Sequence, residues 1–219
     1  MTKDQVRARI EEIAIIPAVR VSSKEDALFA CEAVAHGGIP IVELTMTVPG
    51  AVELLHAMGH NSVDVVAGAG TVLDVETARR CLDAGAQFIT SPGLELEVVE
   101  FACKNNVLVM PGALTPTEVF NAWKAGADMV KVYPCSEVGG PKYIRALKGP
   151  YPKIPLIASG GVNHHTVVEF ILAGASALGI GGNLIPRESI KLRQPERIRE
   201  LARRFLGMVA EARAQMLPQ

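Results

Sequence analysis

Short apolar runs rich in Val, Ile and Ala alternate along this chain with amphipathic stretches that open near Ser, Thr, Asp or Pro and close near Gly. The apolar runs predict buried strands at 15–21, 39–45, 63–69, 87–91, 106–110, 128–133, 154–159 and 176–180. Between them, segments such as KEDALFACEAVAHGG, DVETARRCLDAGA, ELEVVEFACKNN, TPTEVFNAWKAGA and HHTVVEFILAGA carry helical periodicity, and several end in a Gly-Ala pair suited to stopping a helix. An opening helix near 2–13 and a closing amphipathic helix, PERIRELARRFLGMVAEARAQM, flank the series. Strands apolar on both faces and joined by helices must run parallel, with cover on each side.

Two folds satisfy that rule, a closed barrel and an open doubly wound sheet. The fingerprint of the second is incomplete, because GAGTV at 68–72 follows a strand but lacks the third glycine of GxGxxG. Eight units consume the 219 residues with almost nothing left over, and no linker or low-complexity segment divides them. The expected architecture is α/β, a (β/α)8 TIM barrel with an extra N-terminal helix, forming one domain over 1–219.

Several partners are disfavoured. The formal charge is −1 and no basic run occurs that could displace counterions from a nucleic acid. No apolar run reaches membrane-spanning length, and the charged amino terminus lacks the pattern of a secretory signal. Cys31, Cys81, Cys103 and Cys135 are widely spaced, with neither CxxC pairing nor a zinc-ligand pattern, so a reducing cytoplasm is expected. His36, His56 and His60 fall in helices or at their ends, while His164 and His165, placed at a helix start, project in different directions. Neither a catalytic metal nor a cofactor is expected.

Active sites of such barrels form where the carboxyl ends of the strands converge. Polar residues there are few: Arg20, Glu43, Thr45, Thr71, Ser91, Pro92 and Lys131, with SGGVN after strand 7 and GIGGN after strand 8. Lys131 interrupts the apolar run MVKVYP, where a charged ammonium is costly to bury. Desolvation favours a neutral amine, the form that attacks a carbonyl to make a Schiff base. A lysine snorkelling from a strand end to a carboxylate is the plainer alternative. Glu43, in IPIVELT, is the same kind of anomaly; it could pass protons beside the lysine, or only neutralise it or Arg20. The glycine loops suit an anion, held by backbone N–H groups and a helix start, or simply permit tight turns.

The motifs VELTMTVPGA, GAGTVLD, ITSPGL, MPGALTPTE, VKVYP, GPKYIRALKGPYP and ASGGVN, in that order between about residues 13 and 186, together resemble the 2-keto-3-deoxy-6-phosphogluconate (KDPG) aldolase family. That family includes enzymes acting on 4-hydroxy-2-oxoglutarate. The resemblance implies a homotrimeric, metal-free barrel that cleaves a 2-keto acid to pyruvate and an aldehyde: glyceraldehyde 3-phosphate from KDPG, glyoxylate from 4-hydroxy-2-oxoglutarate. It implies that Lys131 forms the Schiff base, Glu43 shuttles protons, Thr71 meets the keto-acid carboxylate and Pro92 lines the site. Tyr133 stands where a Phe is usual, and Gly160 and Gly161 form the phosphate loop. Two positions depart from the pattern. Thr47 replaces an arginine, so Arg20 is expected to supply the missing charge, and Gly182 replaces a phosphate-binding serine, which Asn183 could replace. A phosphate-binding barrel isomerase or synthase without covalent chemistry, and a non-catalytic sugar-acid binder, are the rivals.

Overall fold

Thr2 starts the chain's first helix with a capping box. Its hydroxyl accepts from the Gln5 N–H, and the Gln5 side chain accepts from the Thr2 N–H at 2.8 Å. The computed structural model describes residues 1–61 and 65–216. After α1 (Lys3–Ile13) come β1 (Ile15–Val19), α2 (Lys24–His36), β2 (Ile41–Thr45), α3 (Ala51–Asn61), β3 (Val66–Gly70), α4 (Val75–Asp83), β4 (Phe88–Thr90), α5 (Leu96–Lys104), β5 (Leu108–Met110) and β6 (Gly112–Ala113). There follow α6 (Pro116–Lys124), β7 (Val130–Val132), α7 (Pro141–Lys148), β8 (Leu156–Ser159), α8 (Val167–Leu172), β9 (Ala175–Ile180), α9 (Arg187–Lys191) and α10 (Pro195–Met216).

Every strand pairing is parallel, in the order β5-β4-β3-β2-β1-β9-β8-β7-β6. The two ends of that list, β5 and β6, are one chain segment interrupted only by Pro111. Proline has no N–H to add to a ladder, yet the Pro111 carbonyl accepts from the Lys131 N–H at 2.9 Å and the Gly112 N–H donates to Gly93 at 3.2 Å. The nine strands therefore occupy eight positions around a barrel, and the fold is the (β/α)8 barrel with an N-terminal helix that the alternation predicts. The open sheet is excluded by the β6–β7 and β4–β5 pairings. β1, β2, β4, β5, β7 and β8 lie within predicted runs, β9 starts one residue before its run, and β6 falls in none of them; β3 covers Val66–Gly70, and positions 63 and 64 of its expected run lie outside the described residues.

Burial follows from this closure. Nearly every strand residue is buried, because one face looks into the barrel and the other onto helices. Close approach then restricts side-chain size: a Cβ on Gly68 would lie 2.3 Å from the Phe88 ring on the next strand. Helices are started by side-chain caps at Ser23, Asp74 and Thr115, the last with a capping box to Glu118. The long α10 packs across α2 and α8, and among the described residues no helix is long and apolar enough to cross a membrane.

Candidate active site

Lys131 lies on β7 and Glu43 on β2, which are opposite one another around the ring. Their side chains nevertheless meet: Lys131 Nζ is 3.2 Å from each Glu43 carboxylate oxygen. A contact between opposite strands has to cross the lumen, so both side chains point inward. Thr90, at the end of β4, completes the group with its hydroxyl 3.5 Å from Lys131 Nζ. In a barrel of this kind, alternate strands contribute to one interior layer, and β2, β4 and β7 are alternate positions in the ring. Lys131 is 9% exposed and Glu43 3%. Burying either charge alone would be costly, and pairing offsets part of that cost without making the pair a strong source of stability.

Space for the Glu43 carboxylate is made by a glycine. A Cβ on Gly70 of β3 would lie 2.4 Å from Glu43 Oε1, so any larger residue would displace the acid. The next residue, Thr71, is half-buried with φ of 60°, a left-handed conformation that a β-branched residue rarely adopts. Beside it, Thr45 donates to the Val19 carbonyl at 3.0 Å, and its oxygen is 2.9 Å from that of Thr47. Where the resemblance leads one to expect an arginine, this chain therefore carries two linked neutral hydroxyls. Ser91 is tied into its own turn, with its hydroxyl 2.6 Å from the Gly93 carbonyl, which leaves Pro92 exposed at the β4 end.

The mouth opens further between the ends of β1, β7, β8 and β9 as a cavity of about 310 Å³. It brings together Arg20, Tyr133, Gly160, Gly161, Gly182 and Asn183, all anticipated from the sequence. Tyr133, two residues past Lys131 in the chain, lines this cavity, while Lys131 and Glu43 are not part of its lining. Thr71 and Pro92, at the ends of β3 and β4, are not part of its lining. Gly160 and Gly161 both have positive φ, 87° and 78°. A Cβ on Gly161 would meet Ser136 at 2.3 Å, so the loop needs glycine for space as well as for conformation. The N–H groups of Gly161, Val162, Gly182 and Asn183 meet no acceptor among the described residues and remain available to an anion.

Three details of the mouth differ from the expectation. No long helix starts at either loop: α8 begins only at Val167 and has six residues, and α9 has five, so the open backbone donors here are loop N–H groups. His164 and His165 lie in the turn before α8, exposed, with ring centroids 3.9 Å apart. The Asn183 amide donates to the Val162 carbonyl at 2.9 Å, so it ties the two glycine loops to each other. Thr90 and Arg187, which also lines the cavity, were not anticipated. Thr90 sits one residue before the SP pair and looks like an ordinary strand residue. The available signal for Arg187 was a cation in the first turn of a helix, where an acid is preferred. Among the described residues there is no cluster of three His, Cys, Asp or Glu able to hold a metal ion.

Residues 6–201 match the family model described as KDPG and KHG aldolase. The 2-dehydro-3-deoxy-phosphogluconate aldolase of Treponema pallidum is 33% identical over 201 residues, which cover 91% of this chain and 95% of that protein. The KHG/KDPG aldolase of Escherichia coli K12 is 30% identical, covering 86% of this chain and 89% of its own length. Among solved structures, the KDPG aldolase of Legionella pneumophila, with pyruvate captured at low pH as a covalent carbinolamine intermediate, superimposes with a TM-score of 0.84. It is 29% identical and the match covers 91% of this chain and 97% of that one.

Proposed function

From the premise that this chain belongs to the KDPG and KHG aldolase family, we propose that it is a class I aldolase, a lyase that cleaves KDPG to pyruvate and glyceraldehyde 3-phosphate through a Schiff base on Lys131. The observation that carries the reading is the inward-facing, buried Lys131–Glu43 pair at 3.2 Å. A carbinolamine, the state captured in the Legionella relative, is the adduct that an amine makes at a keto carbon.

In the cleavage direction Glu43 takes a proton from Lys131, and the free amine adds to C2 of the keto acid. Glu43 then returns the proton to the C2 hydroxyl, water leaves, and an iminium forms. With the iminium as electron sink, Glu43 takes the C4 hydroxyl proton, the C3–C4 bond breaks and the aldehyde is released. Glu43 returns that proton to C3 of the enamine, and water hydrolyses the resulting iminium to pyruvate and free Lys131. Thr90, beside Nζ, helps to orient the amine.

Substrate ends are assigned from the family's pattern at Thr71 and Pro92 and from the open donors of the cavity. The keto-acid carboxylate is placed toward Thr71 and the Pro92 wall, and the distal phosphate in the cavity of Gly160, Gly161 and Gly182. Arg20 lines that cavity, which favours its service to the distal anion over the carboxylate. The chain is read as one catalytic domain over 1–219 that assembles as a homotrimer. Leu73, Leu96 and Phe120, on three successive βα units, are large exposed apolar side chains that association could cover; a monomeric mass by light scattering would overturn the assembly.

The decisive experiment is incubation with pyruvate and borohydride, which reduces a Schiff base to a stable secondary amine. Peptide mass mapping should find the adduct at Lys131 and lose it in Lys131→Ala. An adduct on another lysine, with aldolase activity retained in Lys131→Ala, would refute the covalent role.

A further inference from the structure

The cavity at the mouth contains a second guanidinium. Arg187, the first residue of α9, lines it together with Arg20, which follows β1. The two arrive from neighbouring barrel strands, since Pro17 of β1 is in register with Ile180 of β9. Both also line the adjoining cavity, so they stand at the wall the two cavities share. Neither has an ion-pair or hydrogen-bond partner among the described residues. Asp26, a carboxylate lining the second cavity, is already paired with Arg193 at 3.1 Å.

Other groups at this end of the site cannot meet a full negative charge. A Cβ on Gly182 has no atom within 4 Å, so the position offers space but no side-chain donor. The Asn183 amide gives one of its two N–H groups to the Val162 carbonyl and carries no charge, and the Tyr133 side chain offers a single hydroxyl. A phosphate monoester carries about −1.5 to −2 charges near pH 7. Neutral N–H groups would stabilise that charge less than a guanidinium, which offers planar, paired donors.

We propose that Arg187 and Arg20 together form a two-guanidinium clamp for the dianionic distal group of the substrate, with Arg187 a specificity-determining residue for phosphorylated keto acids. The proposal rests on the aldolase reading above. Arg20 approaches from the β1 side and Arg187 from the β9 side, while the N–H groups of Gly161, Val162, Gly182 and Asn183 supply the remaining donors. A substrate with no phosphate gains little from the second arginine.

The test compares wild type, Arg187→Gln and Arg187→Lys in KDPG cleavage, and measures inhibition by inorganic phosphate. Arg187→Gln should raise KM for KDPG by roughly 10- to 150-fold, the range for a lost hydrogen bond to a charged group, with kcat falling far less. The inhibition constant of phosphate should rise in parallel, and Arg187→Lys should recover part of each loss. An unchanged KM with unchanged phosphate inhibition would overturn the clamp, as would a loss confined to kcat. Pyruvate–borohydride trapping on the wild-type protein tests the parent reading separately. No adduct there sinks the aldolase assignment, whereas an adduct together with an indifferent Arg187→Gln sinks only the clamp.

Discussion

Replacing Gly70 by alanine adds one methyl group directly against the acid. The new Cβ would sit 2.4 Å from Glu43 Oε1, 2.6 Å from its Cγ and 2.7 Å from its Cδ, where ordinary contact begins near 3.4 Å. The Gly70 backbone is not in the left-handed region, so alanine is admissible there and the conflict is confined to the Glu43 side chain. Relief requires the carboxylate to retreat by about 1 Å, and a misplacement of that size costs about 10²-fold in a positioned reaction. Overpacking a core costs about 1–3 kcal/mol, which for a chain of this length lowers Tm by roughly 2–12 °C and leaves the protein folded at assay temperature. Steady-state pyruvate release at 25 °C should therefore show kcat reduced by about two orders of magnitude in Gly70→Ala. The control is the same substitution on Glu43→Ala, where the obstructed side chain is gone and the second change should add little. A wild-type kcat in Gly70→Ala, or an equal loss on both backgrounds, would show that the glycine does not act through Glu43.

Three further outcomes follow from the same geometry. Glu43→Gln keeps size while removing the proton carrier, and should slow turnover by about 10²-fold or more in stopped assays of pyruvate release; a near-native rate would leave Glu43 as a structural partner of Lys131. Arg20→Ala should lower kcat/KM for KDPG by about 10-fold or more, and Gly182→Ser, which has open space for its side chain, should improve KDPG but not 4-hydroxy-2-oxoglutarate; equal losses of Arg20→Ala on both substrates would move Arg20 to the keto-acid carboxylate. Burial pushes the Cys31 thiol up to about 12 and those of Cys81 and Cys135 to about 11, while Cys103 is exposed, so a disulfide reagent at pH 8 should modify one thiol quickly in native protein and all four after denaturation. Rapid reaction of a second thiol would contradict the packing around it.

Residues whose type conflicts with their immediate neighbours were legible before the structure. Lys131 in MVKVYP and Glu43 in IPIVELT each break an apolar run, and a buried charge must be answered by another group. Their partnership was legible only as a possibility, because 88 residues separate them and only closure of the barrel brings opposite strands within 3.2 Å. The alternation also predicted the eight barrel positions, since continuous apolar strands separated by helices leave few parallel solutions. The break at Pro111 was not foreseen, although MPG at 110–112 contains the residue that lacks an N–H.

Glycines were the hardest residues to read, because the same residue answers different requirements. GAGTV looked like a fragment of a nucleotide-binding loop, yet its glycines make room within the barrel: Gly68 for the Phe88 ring and Gly70 for the Glu43 carboxylate. The space is needed because another side chain arrives from elsewhere, which is tertiary information with no local signature. Arg187 was hidden for the opposite reason. An arginine near a helix start on a surface segment is ordinary in sequence, and becomes informative only when a cavity shows it beside Arg20 with no carboxylate to answer either charge. Two cations without a carboxylate partner among the described residues at one cavity are the feature from which the proposed clamp for a dianionic distal group is argued, and neither is marked by any motif.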